Sequence, residues 1–209
     1  MGAREDIQTE LVSAGNVFEL ETVSVHGNPL RVFKNAPRTL RDVWLTAAQR
    51  GDIPYLIFDD VVMTFSEADK QVRSLAAWLQ AQGIQQGDRV AVGMRNYPEW
   101  VIAYWATQCI GAVLVSLNAW WVTDELKYAL SDSGARAVVV DGERQDRLSN
   151  EVLKDLGIHI AVVARGEVRQ GWAMWHEVSA NAKPDIRDVN METDDIATIL
   201  YTSGTTGFP

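Results

Sequence analysis

Cysteine is almost absent from this chain: Cys109 is the only one in 209 residues, so no internal disulfide framework can exist. It lies in an apolar segment, where a buried, inert thiol is expected. Histidine is scarce too. His26, His159 and His176 stand far apart, with no cysteine or paired carboxylate at ligand spacing, which argues against a structural metal site. Positive charge is in deficit, with 19 Lys and Arg against 28 Asp and Glu and a formal net charge of -9. Such a surface repels phosphate backbones and anionic lipid, so neither nucleic acid nor membrane is an expected partner. The opening residues Met1 to Ile7 lack the apolar run of a secretory signal, and Asp6 stands where a myristoylation signal takes Ser or Thr. A cytoplasmic location is the expectation. No repeat, low-complexity tract or flexible linker interrupts the sequence. What is present, 47% apolar and 22% charged residues, suits a soluble chain with a substantial core in one large domain or two small ones.

One stretch tests the soluble reading, because no charged residue falls between Glu99 and Asp124. About two dozen residues are enough to span a bilayer, and Trp100, Tyr104, Trp105, Trp120 and Trp121 sit near its ends like interfacial belts. Against this, Asn96-Tyr-Pro-Glu99 has the form of a helix start and Gly111 that of a helix stop. Residues 112–117 then read as a buried strand, so a helix followed by a strand is the expected answer.

The chain alternates throughout. Strand-like runs at 17–25 and 30–34 flank the turn sequence His26-Gly-Asn-Pro29 and predict a hairpin. A helix starting at Thr39 ends near Gly51, and strands at 54–58 and 61–64 flank Asp59-Asp60. Ser66 is the expected cap of an amphipathic helix carrying Ala68, Val72, Leu75, Ala76 and Leu79 on one face. Strands at 89–94, 112–117, 136–141 and 158–164 then alternate with helices at 98–110, 124–131 and 143–156. Residues 172–190 read as a short helix and a connection. Near-continuous Val, Ile and Leu strands separated by helices predict an α/β fold with a mainly parallel sheet covered on both faces.

The last stretch carries the chemistry. Residues 196–201 form an apolar, β-branched run that opens into Thr202, Ser203, Gly204, Thr205, Thr206 and Gly207. Glycines let a backbone approach a ligand closely, and hydroxyls add donors beside the exposed N–H groups, a combination suited to phosphate. A plain turn has the same composition. A Walker-type loop is excluded, because the residue five after Gly204 is Pro209. In parallel α/β sheets ligands bind beyond the carboxyl ends of strands, and this loop follows a strand.

The string from Tyr201 to Pro209 resembles the phosphate-loop signature of the adenylate-forming superfamily, Tyr-Thr-Ser-Gly-Thr-Thr-Gly-x-Pro-Lys. The resemblance extends upstream. Met63-Thr-Phe-Ser-Glu-Ala68 is similar to that family's first core motif, and Gln108-Cys-Ile-Gly-Ala-Val-Leu-Val-Ser-Leu-Asn118 to its second, with Ser116 replacing the usual proline. Asp132-Ser-Gly-Ala-Arg-Ala-Val-Val-Val-Asp141 is also similar, so the match covers 39–209 in order. Glu67, Asp88, Glu99 and Asp132 are expected at caps and turns, and Trp100, Tyr104 and Trp105 in the core. For Trp120 and Trp121, which follow a strand's carboxyl end, the border of a pocket, an interface and the core are all open.

The resemblance implies the N-terminal portion of the adenylate-forming synthetase fold over 39–209, after a 1–38 extension with the hairpin. It further implies ATP-dependent activation of a carboxylic acid, fatty or aromatic, to an acyl-adenylate and then to acyl-CoA. ATP, Mg and coenzyme A would be used, with Thr202, Ser203, Gly204, Thr205, Thr206 and Gly207 at the ATP phosphates and Thr202 also near Mg. An adenylation domain that loads a carrier protein and a non-catalytic α/β module are the alternatives. The family's adenine loop, ribose-binding aspartate, hinge and catalytic lysine have no counterpart here, so no catalytic residue and no turnover are expected of residues 1–209 alone. Self-association through an open strand edge is a further expectation.

Overall fold

The computed structural model describes residues 2–180 and 184–202. The chain forms two compact units, Met1–Thr39 and Leu40–Pro209. In the smaller, helix α1 (Ala3–Leu11) precedes an antiparallel hairpin of β1 (Leu20–Val25) and β2 (Asn28–Phe33). The register pairs Val25 with Asn28, so the turn is only His26-Gly27, tighter than the four-residue turn sequence implied. Both turn residues have positive φ, 48° and 82°, which a two-residue hairpin matched to strand twist requires. An ion pair of Lys34 with Glu19 at 2.7 Å closes the open end. Helix α1 had no counterpart in the sequence reading; its apolar residues Ile7 and Leu11 are exposed, leaving no buried face to produce a periodic signal.

The larger unit begins with α2 (Leu40–Ala48) and a hairpin of β3 (Pro54–Phe58) and β4 (Val61–Thr64). There follow α3 (Phe65–Ala81), β5 (Arg89–Gly93), α4 (Pro98–Cys109), β6 (Val113–Ser116), α5 (Thr123–Ser133) and β7 (Ala137–Asp141). Helices α6 (Gly142–Gln145) and α7 (Asn150–Asp155), strands β8 (Ile160–Ala164) and β9 (Ala173–Met174), helix α8 (Trp175–Ser179) and strand β10 (Thr198–Leu200) complete it. Among the described residues six strands make one sheet in the order β10-β6-β5-β7-β8-β9, every pair parallel. All five strands expected in the sheet are there, and the short β9 adds a sixth.

Side-chain alternation divides the core into two layers. Val90, Val92, Leu114, Val139 and Val162 face one cluster with α2, α3 and α4, while Ala91, Val115, Val138, Val140 and Val163 face another with α5 and α7. Both faces are covered, which is why these strands read as unbroken apolar runs. The layers follow from connection handedness: β6 lies on one side of β5 and β7 on the other, so right-handed crossovers put α4 and α5 on opposite faces.

The charge-free stretch resolves as α4, a turn and β6. Gly111 makes the turn at φ 69°, and no helix among the described residues is long and apolar enough to cross a membrane. Trp44 stacks on Trp105 at 5.2 Å, and the Trp105 indole donates to the Tyr55 hydroxyl at 2.7 Å, which places Trp105 in the core packing. Cys109 is buried beside them, and burial pushes its thiol up to about 12.

Two local expectations need correction. Helix α3 is capped by Thr64, not Ser66: the Thr64 hydroxyl accepts from the Glu67 N–H at 3.2 Å, and the Glu67 carboxylate accepts from the Thr64 N–H at 2.8 Å. Residues 143–156 form two helices rather than one, because Asp141 caps the first and Ser149 the second. Each cap satisfies its own helix start, so the chain restarts instead of continuing.

Candidate functional site

At the carboxyl end of the sheet the strand-end loops lie side by side in sheet order, Tyr201 and Thr202 after β10, then 117–122 after β6, 94–97 after β5 and Gly142 after β7. The chain leaves β5 toward β6 and leaves β7 toward β8, so β5 and β7 flank the topological switch point where open α/β sheets bind ligands. Here that crevice is filled by protein groups. The Asp141 carboxylate accepts from the Arg95 N–H at 3.1 Å, and the Arg144 guanidinium donates to it at 2.8 Å. Glu143 accepts from Arg95, Arg144 and Arg147. Arg95 also lies over the Trp120 ring at 4.2 Å, leaving the indole 69% exposed. Trp121 turns the other way and is 8% exposed.

Strand β10, on the far side of β6, is held from several directions. Its residues Thr198, Ile199 and Leu200 pair with Leu114, Val115 and Ser116. The Gln108 amide donates to the Ala197 carbonyl at 3.0 Å, so α4 fixes the entry to the strand. At the exit, the Tyr201 ring packs edge-on against Trp121 at 5.9 Å and Tyr128 at 6.3 Å. Its hydroxyl donates to Asp132 Oδ2 at 2.7 Å, with the Ala129 carbonyl at 3.2 Å. Burial first, and then the adjacent Asp132 carboxylate, push the phenol up to about 12. Tyr201 is thereby a fixed post at the exit of β10.

Thr202 follows this post and is exposed beyond the strand end. Ser203, Gly204, Thr205, Thr206 and Gly207 lie outside the described residues. The acidic residues expected at caps and turns are found there: Glu67 in the α3 cap, Asp88 accepting from the Gln85 N–H and paired with Arg136, and Glu99 in the first turn of α4 paired with Arg165. Asp132 does more than end a helix, since it receives the Tyr201 hydroxyl. Arg95, Arg144 and Arg147 gave no advance signal, because arginines in a helical or loop segment read as solvated surface until the fold brings them together.

Residues 43–209 match the family described as AMP-binding enzyme. A medium/long-chain-fatty-acid–CoA/3-oxocholest-4-en-26-oate–CoA ligase of Mycobacterium marinum is 34% identical over 163 residues, 74% of this chain and 30% of that protein. A nonribosomal peptide synthetase of Ceriporiopsis subvermispora is 32% identical over 148 residues, 70% of this chain and 5% of that protein. The chain thus spans less than a third of the length of these relatives. Among solved structures, an anthranilate CoA ligase in complex with anthranoyl-AMP has a TM-score of 0.76 at 22% identity, over 84% of this chain and 34% of that one, which shows a shared fold. With the match running from within α2 through β10 to Pro209, the chain belongs to the AMP-binding enzyme family.

Proposed function

We propose that this chain carries the N-terminal part of an enzyme that activates a fatty or aromatic carboxylic acid with ATP and passes the acyl group to coenzyme A. The observation that carries this reading is the placement of Thr202 at the carboxyl end of a parallel sheet, behind a strand and a tyrosine fixed in position, in a chain of the AMP-binding family. In the first step a carboxylate oxygen attacks the α-phosphorus of ATP, the bond to the bridging oxygen breaks, and pyrophosphate leaves. In the second, the CoA sulfur attacks the acyl carbon and AMP leaves.

The chain's own part is to hold the departing phosphates. The N–H groups of Ser203 to Gly207 and the hydroxyls of Thr202, Ser203, Thr205 and Thr206 would bind the β- and γ-phosphates, and oriented donors of this kind stabilise charge as it develops on the leaving group. The exposed Thr202 hydroxyl is a hard oxygen donor of the kind Mg²⁺ accepts, and it fits a site in which phosphate oxygens and water supply the remaining ligands. Bound there, Mg²⁺ would neutralise charge on the phosphates.

Titration of MgATP onto the chain is the test, with Gly204→Val and Gly207→Val as variants whose side chains block the phosphates. Weak binding lost in both is the expected result; binding unchanged in both overturns the assignment. Pyrophosphate release by a longer product bearing this chain, with a panel of fatty and aromatic acids, tests the chemistry. The similarity to a nonribosomal peptide synthetase supports a second reading in which a carrier protein is the acyl acceptor. Thioester formed on a carrier protein and not on CoA would favour it.

A further inference from the structure

Arg144 is wholly buried, an uncommon position for a guanidinium. Part of its fork is matched by Asp141, itself only 4% exposed at the side chain, and by Glu143. The rest, Nε and Nη2, converges on a single atom, the Ala119 carbonyl oxygen, at 2.7 Å from Nε. Arg147 adds bonds from Nη1 to the Trp121 carbonyl at 2.7 Å and the Ala119 carbonyl at 3.2 Å, and is braced by Glu143 at 2.6 Å. Two arginines thus grip the loop between β6 and α5 at two carbonyls, those of Ala119 and Trp121. A buried ion pair adds little net stability over apolar packing, and its best attested use is to enforce one geometry. The geometry enforced here is that of Trp121, whose ring forms one wall of the seat for Tyr201.

We propose that Arg144 and Arg147 are positioning residues for the nucleotide loop: by fixing Ala119–Trp121 they seat Tyr201 and so set where Thr202 leaves β10. The inference rests on the assignment of that loop to the ATP phosphates, but its structural half is testable without nucleotide.

Hydrogen exchange over residues 198–202 is the measurement, in Arg147→Met and in the charge-balanced pair Asp141→Asn with Arg144→Met. The second variant neutralises both members of the buried pair, so no buried carboxylate is left without its cation, and protection of β8 reports whether the sheet is intact. Exchange over 198–202 should rise about tenfold in both while β8 stays protected, and the dissociation constant for MgATP should rise by a similar factor, as expected from losing one or two bonds to a fixed loop. Trp121→Leu should reproduce the effect, and combining it with Arg147→Met should add little, because both act through the same ring. Unchanged exchange over 198–202, equal loosening of β8, or full additivity with Trp121→Leu would each overturn the proposal. If the unaltered chain binds no MgATP, the phosphate assignment fails, and the exchange results alone decide the positioning role.

Discussion

Tyr201 stands at the exit of β10, and its chemistry can be followed by pH. Its phenol titrates near 12 rather than at the ordinary 10, because burial and the Asp132 carboxylate both favour the neutral form. A raised value means that its contribution to stability is complete below pH 10 and is lost as pH rises from 10 through about 12. Tyr201→Phe removes the hydroxyl, so the variant should be less stable by about 1 kcal/mol at neutral pH. Its stability should also fall less steeply above pH 10 than that of the unaltered chain. Denaturant unfolding at neutral pH and in steps above pH 10 checks both. Some slope will remain, since burial also raises Tyr55 and Tyr104. An identical slope in the two proteins would mean that Tyr201 is not protected from water.

The junction of α4 and β6 is the element on which the charge-free stretch turns. Gly111 holds φ 69°, and a Cβ placed there would come within 3.0 Å of Gln86 Cγ and 3.3 Å of Met191 Cγ. Gly111→Ala should therefore cost about 1–2 kcal/mol from the left-handed backbone alone, with crowding against Gln86 adding to it. Gln86 also donates to the Asn190 carbonyl and to Asp195, both on the approach to β10, so displacing it should loosen that approach. The measurement is the unfolding free energy of the variant, with exchange over 186–198 as the local readout. A change within a few tenths of a kcal/mol would show that the turn adapts without strain.

At the scale of the whole molecule, every buried apolar residue among those described belongs to the larger unit, the first of them being Trp44. Its two core layers close on the parallel sheet without any residue of Met1–Thr39. Residues 40–209 made alone should therefore fold and unfold in one cooperative transition. Calorimetry of that shorter chain against the full one tests this; a broad, non-cooperative transition in the shorter chain would show that the first 39 residues are needed for folding.

The alternating pattern of apolar strands and capped helices was enough to determine the α/β class, the parallel sheet and five of the six strands described in it, because each rests on local periodicity and on glycine stops such as Gly111, whereas the two-residue β9 is too short to carry a period. The composition of the run from Tyr201 to Pro209 suits a phosphate loop and a plain turn alike, and it is the family resemblance that favours the first. Local pattern put the cap of α3 at Ser66, two residues past the actual cap Thr64, since the reciprocal bonds with Glu67 are what distinguish them. Nor did it reveal that neighbours Trp120 and Trp121 face opposite ways, or that Arg144 is buried. Those outcomes depend on pairing between segments distant in the chain, the β6 loop with α6 and Tyr201 with α5. Burial of a charge or a ring is a property of that assembly, which no single segment encodes.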